Sequence, residues 1–264
     1  MKRKLNNLFL MVLPLIMLAQ GVYATTPEEQ GLSIAREMDK RDEGFKDSRA
    51  ELIMTLKNKR GDESIRRIRT RTLEVIGDGD KSLTIFDHPA DVKGTAFLSY
   101  THAKQADDQW LYLPALKRVK RISSSNKSGP FMGSEFAYED LASQEVDKYT
   151  YRFIREEKID HRDSLVIERY PVYENSGYTR QIVWVDKEHY YPVKIEFYDR
   201  KNSLLKTLVF SSYHQHLNKF WRAHIMNVVN HQTGKSTRLE WNNYHFQTGL
   251  TEKDFDQNSL KRTR

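Results

Sequence analysis

The sequence has no cysteine among its 264 residues, so the folded chain has no disulfides and cannot carry a lipid on an N-terminal cysteine. Proline is scarce, with seven residues, and the twelve glycines form no linker-like run. No block of like charges divides the chain either. We therefore expect residues 25–264 to form a single domain, long enough to bury a sizeable core.

The N-terminus has the pattern of a secretory signal peptide. Lys2, Arg3 and Lys4 precede an apolar run over residues 8–19, and a small-residue site ends at Ala24. As a membrane anchor the apolar run is too short to span comfortably. We expect a signal peptide over residues 1–24, cleavage after Ala24, and export into an oxidising compartment, most simply the bacterial periplasm.

The charge balance gives only weak evidence about partners. The net charge is +7 for the whole chain and becomes +4 once the three N-terminal cations are removed. Several arginines, among them Arg67, Arg69 and Arg71, lie in one predicted strand and could form a basic surface. Because an exported protein does not meet nucleic acid, we expect no nucleic-acid partner; anionic lipid headgroups fit such basic strands better.

Hydrophobic periodicity predicts one leading helix followed by many strands. Thr26, Pro27 and Glu29 form a capping box at the start of a helix that ends before Gly44. Beyond it, period-two alternation separated by short turns predicts strands. They cover residues 50–56, 64–76, 82–86, 95–101, 109–113, 118–122, 149–159, 165–170, 180–186, 193–198, 204–213, 221–230 and 237–246.

This order of elements predicts a mainly β (α+β) fold. Short connectors favour an antiparallel meander, and a sheet of so many strands must curl because strands twist. We expect a curled antiparallel sheet forming an incomplete β-barrel, covered by a few helices, with a concave face that is either filled or left open as a pocket. Thr251 would cap a short terminal helix that carries Phe255 and Leu260.

Metal-binding residues are suggested by histidines in neighbouring strands. His214 and His216 lie on one face of a predicted strand, and His224, His231 or His245 could supply a third ligand. The alternative is a set of exposed or hydrogen-bonded histidines at a polar strand end. We favour this alternative and predict no metal and no cofactor.

Catalytic residues are equally weakly indicated. Asp107 and Asp108 fit an acidic turn pair, since neighbouring strand residues face opposite sides of a sheet. Glu139-Asp140 could pair with Lys127 or cap the short turn after Tyr138, and the serines at 123–125 lack a nucleophile elbow. We therefore predict that the protein is not an enzyme.

The middle of the chain carries two long motifs. The stretch 108–122 contains the pattern W-L-Y-L-P-A-L-K-R-V-R-R-I at residues 110–122, with lysine at 120. The stretch 129–141 contains F-M-G-S-D-F-x-Y-E-D at residues 131–140, with glutamate at 135. With the run Gly94–Tyr100, these motifs resemble the outer-membrane lipoprotein-sorting protein family, whose members are LolA-like periplasmic proteins. The resemblance extends over nearly the whole mature chain.

The resemblance implies a fold and a role. It implies a LolA/LolB-like half-barrel wrapped over a few helices, and a periplasmic carrier that binds lipid or lipoprotein acyl chains in an apolar cavity for outer-membrane sorting or envelope lipid export. The partners would be those acyl chains and an RND-type exporter or an outer-membrane acceptor. The alternative is a non-catalytic adaptor subunit of an RND-type envelope export complex.

The loop at 123–141 is unusually apolar for a connector. We expect it to cover the cavity, either as a mobile lid or as a fixed plug, with Gly129 and Gly133 as hinges that supply unusual backbone angles. The residues expected to line the cavity or its mouth are Trp110, Tyr112, Phe131, Met132, Phe136 and Tyr138.

Overall fold

A computed structural model describes residues 25–262, without the side chains of residues 259 and 262. The expected signal peptide and its cleavage site therefore lie almost wholly outside the described residues. Within 25–262, no helix has the length and apolar character needed to cross a bilayer.

The fold consists of one α-helix and thirteen strands in the described part of the chain, with short 3₁₀ turns between them. Helix α1 spans Pro27–Asp42 and begins with the predicted capping box, in which Thr26 and Glu29 exchange hydrogen bonds. Every predicted strand is present. The strands are β1 (Asp47–Lys57), β2 (Glu63–Leu73), β3 (Lys81–His88), β4 (Ala96–Tyr100), β5 (Asp108–Leu113), β6 (Arg118–Ile122), β7 (Tyr149–Ile159), β8 (Arg162–Pro171), β9 (Tyr178–Asp186), β10 (Pro192–Asp199), β11 (Leu204–His216), β12 (Phe220–Asn230) and β13 (Ser236–Phe246).

All thirteen strands form one antiparallel sheet, in the order β6-β5-β4-β3-β2-β1-β13-β12-β11-β10-β9-β8-β7. Strands β1 to β6 form one meander and β7 to β13 another, and the two halves join where β1 pairs with β13, for example at Leu52 and Trp241. The outermost strands β6 and β7 do not pair with each other, so the sheet is an incomplete barrel. Residues 123–148, called the crossing segment below, connect these two outermost strands.

The two faces of the sheet have different covers. The inner face carries α1 and the crossing segment, and its main core joins Ile34 of α1, Phe131 of the crossing segment and apolar residues of both meanders. The outer face of β3 to β6 is covered by the C-terminal 3₁₀ turns, which bury Phe255 and Leu260 in a separate cluster. One α-helix with 3₁₀ turns thus replaces the few helices expected from the sequence.

Helix α1 packs unusually close to strand β7. A Cβ added to Gly31 would lie 2.8 Å from backbone atoms of Arg152 and Phe153, which is closer than real contacts allow. Gly31 is buried, as are Ile34 and Ala35 on the same side of the helix. The glycine therefore allows the helix to lie directly on the backbone of an outermost strand.

Candidate functional site: the crossing segment on the inner face

The crossing segment forms a compact turn over the inner face. Phe131 donates its backbone N–H to the carbonyl of Phe136 at 2.7 Å, and the amide of Tyr138 donates to the carbonyl of Gly129 at 3.1 Å. An isolated β-bridge joins Pro130 and Ala137. This part of the segment therefore folds back on itself and presents its side chains together.

Aromatic side chains of the segment fill the interior of the half-barrel. Phe131 is only 1% exposed, and its ring centroid lies 5.8 Å from that of Phe86, 5.2 Å from that of Phe97 and 5.5 Å from that of Tyr138. Phe136 is buried in the same core, and Met132 and Tyr138 pack against it half-buried. The structure brings these four predicted residues together in the core of the half-barrel.

The other two predicted residues lie on the opposite side of the sheet. Trp110 and Tyr112 pack against the cluster that contains Phe255 and Leu260, and the Trp110 ring lies 5.0 Å from that of Tyr100. Leu111, between them, joins the inner core. The prediction that all six residues line one cavity is therefore wrong for Trp110 and Tyr112, because side chains alternate between faces along a strand.

The backbone of the turn enters the left-handed region at Met132 and Gly133. Met132 has φ of 48°, and Gly133 has φ of 78°. Gly133 fits the expectation of an unusual backbone angle, which a glycine adopts at little cost. Gly129 does not have a positive φ, so this expectation is wrong for it. Whether either glycine acts as a hinge stays a prediction.

Glu135 fixes the segment to strands β12 and β13. Its backbone N–H donates to Thr237 Oγ1 at 3.0 Å, and Asn230 Nδ2 donates to its carboxylate at 2.7 Å. Both partners are buried residues of the second meander. This first acidic residue of the motif therefore has a structural role, which sequence reasoning did not assign to it.

Glu139 is a buried carboxylate with three donors. It accepts hydrogen bonds from Tyr173 Oη at 3.0 Å, Ser176 Oγ at 2.9 Å and the backbone N–H of Gly177 at 2.8 Å. Burial raises the pKa of Glu139, the nearby charge of Asp140 raises it further, and the three hydrogen bonds oppose the shift. These bonds attach the segment to the β8–β9 connection.

Asp140 pairs with Lys206 of β11, and not with Lys127. Lys206 Nζ lies 2.6 Å from Asp140 Oδ2 and also donates to the carbonyl of Glu135 at 2.8 Å. Asp140 also accepts from Tyr178 Oη at 2.8 Å and from the backbone N–H of Ala137, which confirms the expected cap. Burial raises the pKa of Tyr178 well above its usual value.

A second buried ion cluster lies where the segment meets the β4–β5 connection. Asp107 is paired with both Lys148 and, at 3.5 Å, Lys127, and the three side chains are about a tenth exposed. Burial lowers the pKa of Lys127, while the neighbouring carboxylate of Asp107 raises it. A void of about 20 Å³ adjoins these groups, Glu139 and Tyr173, which is room for about one water molecule.

The histidines gather only in part. His216 Nε2 and His224 Nε2 lie 3.4 Å apart, and the His214 ring centroid is 4.2 Å from that of His224. Burial lowers the pKa values of His216 and His224, and charge repulsion from neighbouring histidines lowers both values further. His231 instead contacts Thr207. Among residues 25–262, no set of three acidic or histidine side chains has the geometry to hold a metal ion.

Comparison with known structures identifies the family. A domain from Vibrio parahaemolyticus, described as an outer membrane lipoprotein-sorting protein domain, is 61% identical with a TM-score of 0.88, and the match covers 89% of this chain and 100% of that one. The chain belongs to the outer-membrane lipoprotein-sorting protein family. A DUF1329 family protein from Desulfovibrio piger is 33% identical over 89% of this chain and 100% of that chain, with a TM-score of 0.85.

Further comparisons agree on the fold of this family. A LolA superfamily protein from Nitrosomonas europaea matches with a TM-score of 0.70 at 21% identity, over 89% of this chain and 99% of that chain, which shows a shared fold. A family model described as "Uncharacterized protein" matches residues 78–262. A comparison with curated proteins gives no match.

Proposed function

We propose that the protein is a periplasmic carrier that binds lipid or lipoprotein acyl chains inside its half-barrel, for outer-membrane sorting or envelope lipid export. The observation that carries the proposal is an apolar interior closed by one continuous segment, on a fold shared with a lipoprotein-sorting relative. The proposal assigns no catalytic step, cofactor or metal. Carriage then rests on reversible burial of apolar surface.

In this proposal, the acyl chain takes the space now filled by Phe131, Met132, Phe136 and Tyr138. A chain with about twelve buried methylenes gains ~10 kcal/mol, since each buried methylene contributes roughly 0.8 kcal/mol. Exposing four large apolar side chains costs ~6–12 kcal/mol, at about 1.5–3 kcal/mol each. The two quantities are similar, so loading and release can both occur without an energy source at the site.

The hydrogen bonds and ion pairs of the crossing segment indicate which part of it can move. Glu135, Glu139 and Asp140 are fixed by buried partners, whereas the turn that contains Met132 and Gly133 is held to the sheet by one half-buried cation, Arg66, which donates to the carbonyl of Met132. We place the movable part at residues 129–134. Hydrogen exchange of the Phe131 and Ser134 amides should become faster on loading, because both donate within this turn.

The first experiment is mass spectrometry of whatever co-purifies with the mature protein, isolated from the periplasm of its own host without detergent. A stoichiometric lipid or acylated peptide supports the carrier. A protein that is empty and also fails to take up fluorescent acyl probes contradicts it.

A matched pair of variants tests the location of the site. Phe131→Ala opens space on the inner face, whereas Trp110→Ala removes a larger aromatic side chain from the outer face. We expect acyl-probe affinity to change for the first variant and to stay the same for the second. Equal effects of both variants would contradict binding beneath the crossing segment.

The filled interior also favours a second candidate, a non-catalytic adaptor of an RND-type export complex. A segment held by two buried ion clusters needs no cargo to complete its core. An adaptor would give a stable partner in pull-downs from the native envelope, no co-purifying lipid, and unchanged exchange of the crossing segment when acyl chains are added.

A further inference from the structure

The hairpin of β5 and β6 projects an apolar tip from an outermost edge of the sheet. Its tip is the 3₁₀ turn Pro114–Leu116, and Leu116 is 67% exposed. Lys117 follows in the left-handed region, with φ of 48°. A large apolar side chain is thus held in solvent by a defined turn at the end of two paired strands.

Cations surround this tip. Lys117, Arg118 and Lys120 are all exposed, and none of them has a carboxylate within ion-pair distance among the described residues. Lys93, in the adjoining β3–β4 connection, is exposed and likewise unpaired there; Gly94 of that connection approaches Pro114. One carboxylate, Asp91, lies in the same connection. The surface around Leu116 therefore has excess positive charge.

Ile76, which is more exposed than Leu116, does not share this setting. Ile76 is 92% exposed, but it lies in the β2–β3 turn between the carboxylates of Glu74 and Asp78, at the opposite end of the strands. Anionic surfaces would repel that turn. Leu116 combines apolar exposure with unpaired cations, which is the combination that binds an anionic bilayer interface.

A second copy of the chain is a poor occupant of this edge. Antiparallel pairing of two β6 strands would bring Arg118 and Lys120 of one copy close to the same cations of the other, and like charges opposite each other destabilise a sheet. A partner with dense negative charge and an apolar layer beneath it fits both features of the hairpin.

We propose that the β5–β6 hairpin is a docking surface for anionic phospholipid bilayers. Leu116 enters the interface between headgroups and acyl chains, while Lys93, Lys117, Arg118 and Lys120 contact headgroup phosphates. The docking is independent of the carrier proposal, because the hairpin tip is separate from the side chains beneath the crossing segment. A protein that carries no lipid could still dock in this way.

The absence of cysteine permits a direct test by single-site labelling. Leu116→Cys, and separately Ile76→Cys as a control, would be labelled with a fluorophore sensitive to polarity. We expect vesicles containing phosphatidylglycerol to blue-shift the emission at residue 116 and not at residue 76. Vesicles of phosphatidylcholine alone should give no shift, and added salt should reverse the shift because it screens the charges.

Charge reversal gives a second readout. Lys117→Glu and the control Lys104→Glu, in the exposed β4–β5 turn, change net charge equally. Only the first should lower partitioning onto phosphatidylglycerol vesicles, by about fivefold or more, since each cation near an anionic surface contributes about that factor. The proposal would be overturned if both variants lost vesicle partitioning equally, or if the protein bound neutral vesicles as well as anionic ones. It would also be overturned if polyglutamate without vesicles shifted the emission at residue 116.

Discussion

Lys206 and Asp140 form an ion pair across the inner face, with 2.6 Å between Nζ and Oδ2 and side-chain exposures of 4% and 8%. The ammonium group also lies 4.9 Å from the ring centroid of Phe197. The pair joins β11 to the crossing segment from positions 66 residues apart in sequence. It therefore fixes where the segment lies on the sheet.

Removing one member of this pair should be costly. Lys206→Met leaves the Asp140 carboxylate buried without its cation, and we expect the free energy of unfolding to fall by ~3–5 kcal/mol. The control is Lys57→Met, which breaks the half-exposed pair with Glu63 and should cost ~0–1 kcal/mol. Urea unfolding measures the free energy of unfolding of both variants. Similar losses in the two variants would contradict a structural role for the buried pair.

Phe131 should contribute to stability and limit access to the interior at the same time. Phe131→Ala leaves a cavity in a closely packed core, so we expect a loss of ~3–5 kcal/mol in the free energy of unfolding. If acyl chains bind in that volume, the same variant should take up a fluorescent acyl probe faster than the wild type. Stopped-flow uptake measures this, and slower uptake would contradict it.

Gly31 should resist even the smallest substitution. Alanine normally stabilises a helix by about 1 kcal/mol relative to glycine. At Gly31, however, the added Cβ would collide with the backbone of β7, so we expect Gly31→Ala to destabilise the protein by ~2 kcal/mol or more. Ser33→Ala, at an exposed position of the same helix, should be neutral or slightly stabilising. Thermal unfolding compares the two variants.

Asp80 should make stability decrease as pH rises. Burial, and to a smaller extent the charges of Glu145, Asp42 and Glu74, raise the pKa of Asp80 from 3.8 to about 7. Between pH 4 and 7 the folded state keeps a proton that the unfolded state has released, so the free energy of unfolding falls over this range. Asp80→Asn should therefore stabilise the protein above pH 7, by up to ~4 kcal/mol, and have little effect below pH 4.

Asp78, in the same turn, provides a control of opposite sign. Its pKa is lowered by a hydrogen bond from His102 and by the backbone N–H of Ala103. The ionised Asp78 carboxylate therefore adds to the free energy of unfolding above pH 4, and this stabilisation is lost as the pH falls through its lowered pKa. Asp78→Asn should thus destabilise the protein at neutral pH. Urea unfolding at pH 4 and pH 8 separates the two variants; equal pH dependence would contradict both assignments.

The strands could be predicted because their alternation is local. The sheet order could not, since nothing in the short connectors indicates that β1 pairs with β13. The prediction that Trp110 and Tyr112 of β5 line the cavity fails for a physical reason. The C-terminal turns cover the outer face of β5, so the side chains there are as apolar as those on the inner face. Alternation alone does not distinguish the two faces when both are covered.

The polar anchors of the crossing segment were only partly predictable. The sequence marks Glu139 and Asp140 as candidates for pairing or capping, but their partners lie far away in the sequence. The sequence does indicate that Lys206 is buried, because it lies on the same strand face as Leu208 and interrupts the apolar pattern of that face. A charged residue at an inward position predicts a buried partner. It does not predict which carboxylate supplies it.

The junction of β1 with β13 has a consequence for how the chain acquires its structure. Leu52 of the first strand pairs with Trp241 of the last strand. The middle of the sheet therefore depends on the strand pairing with the largest separation in sequence. Contacts of this kind slow folding. The first meander can form before β13 is in place, but the second meander and the sheet are complete only once this last strand pairs. The chain thus stays without its central seam until its final strand has joined the sheet.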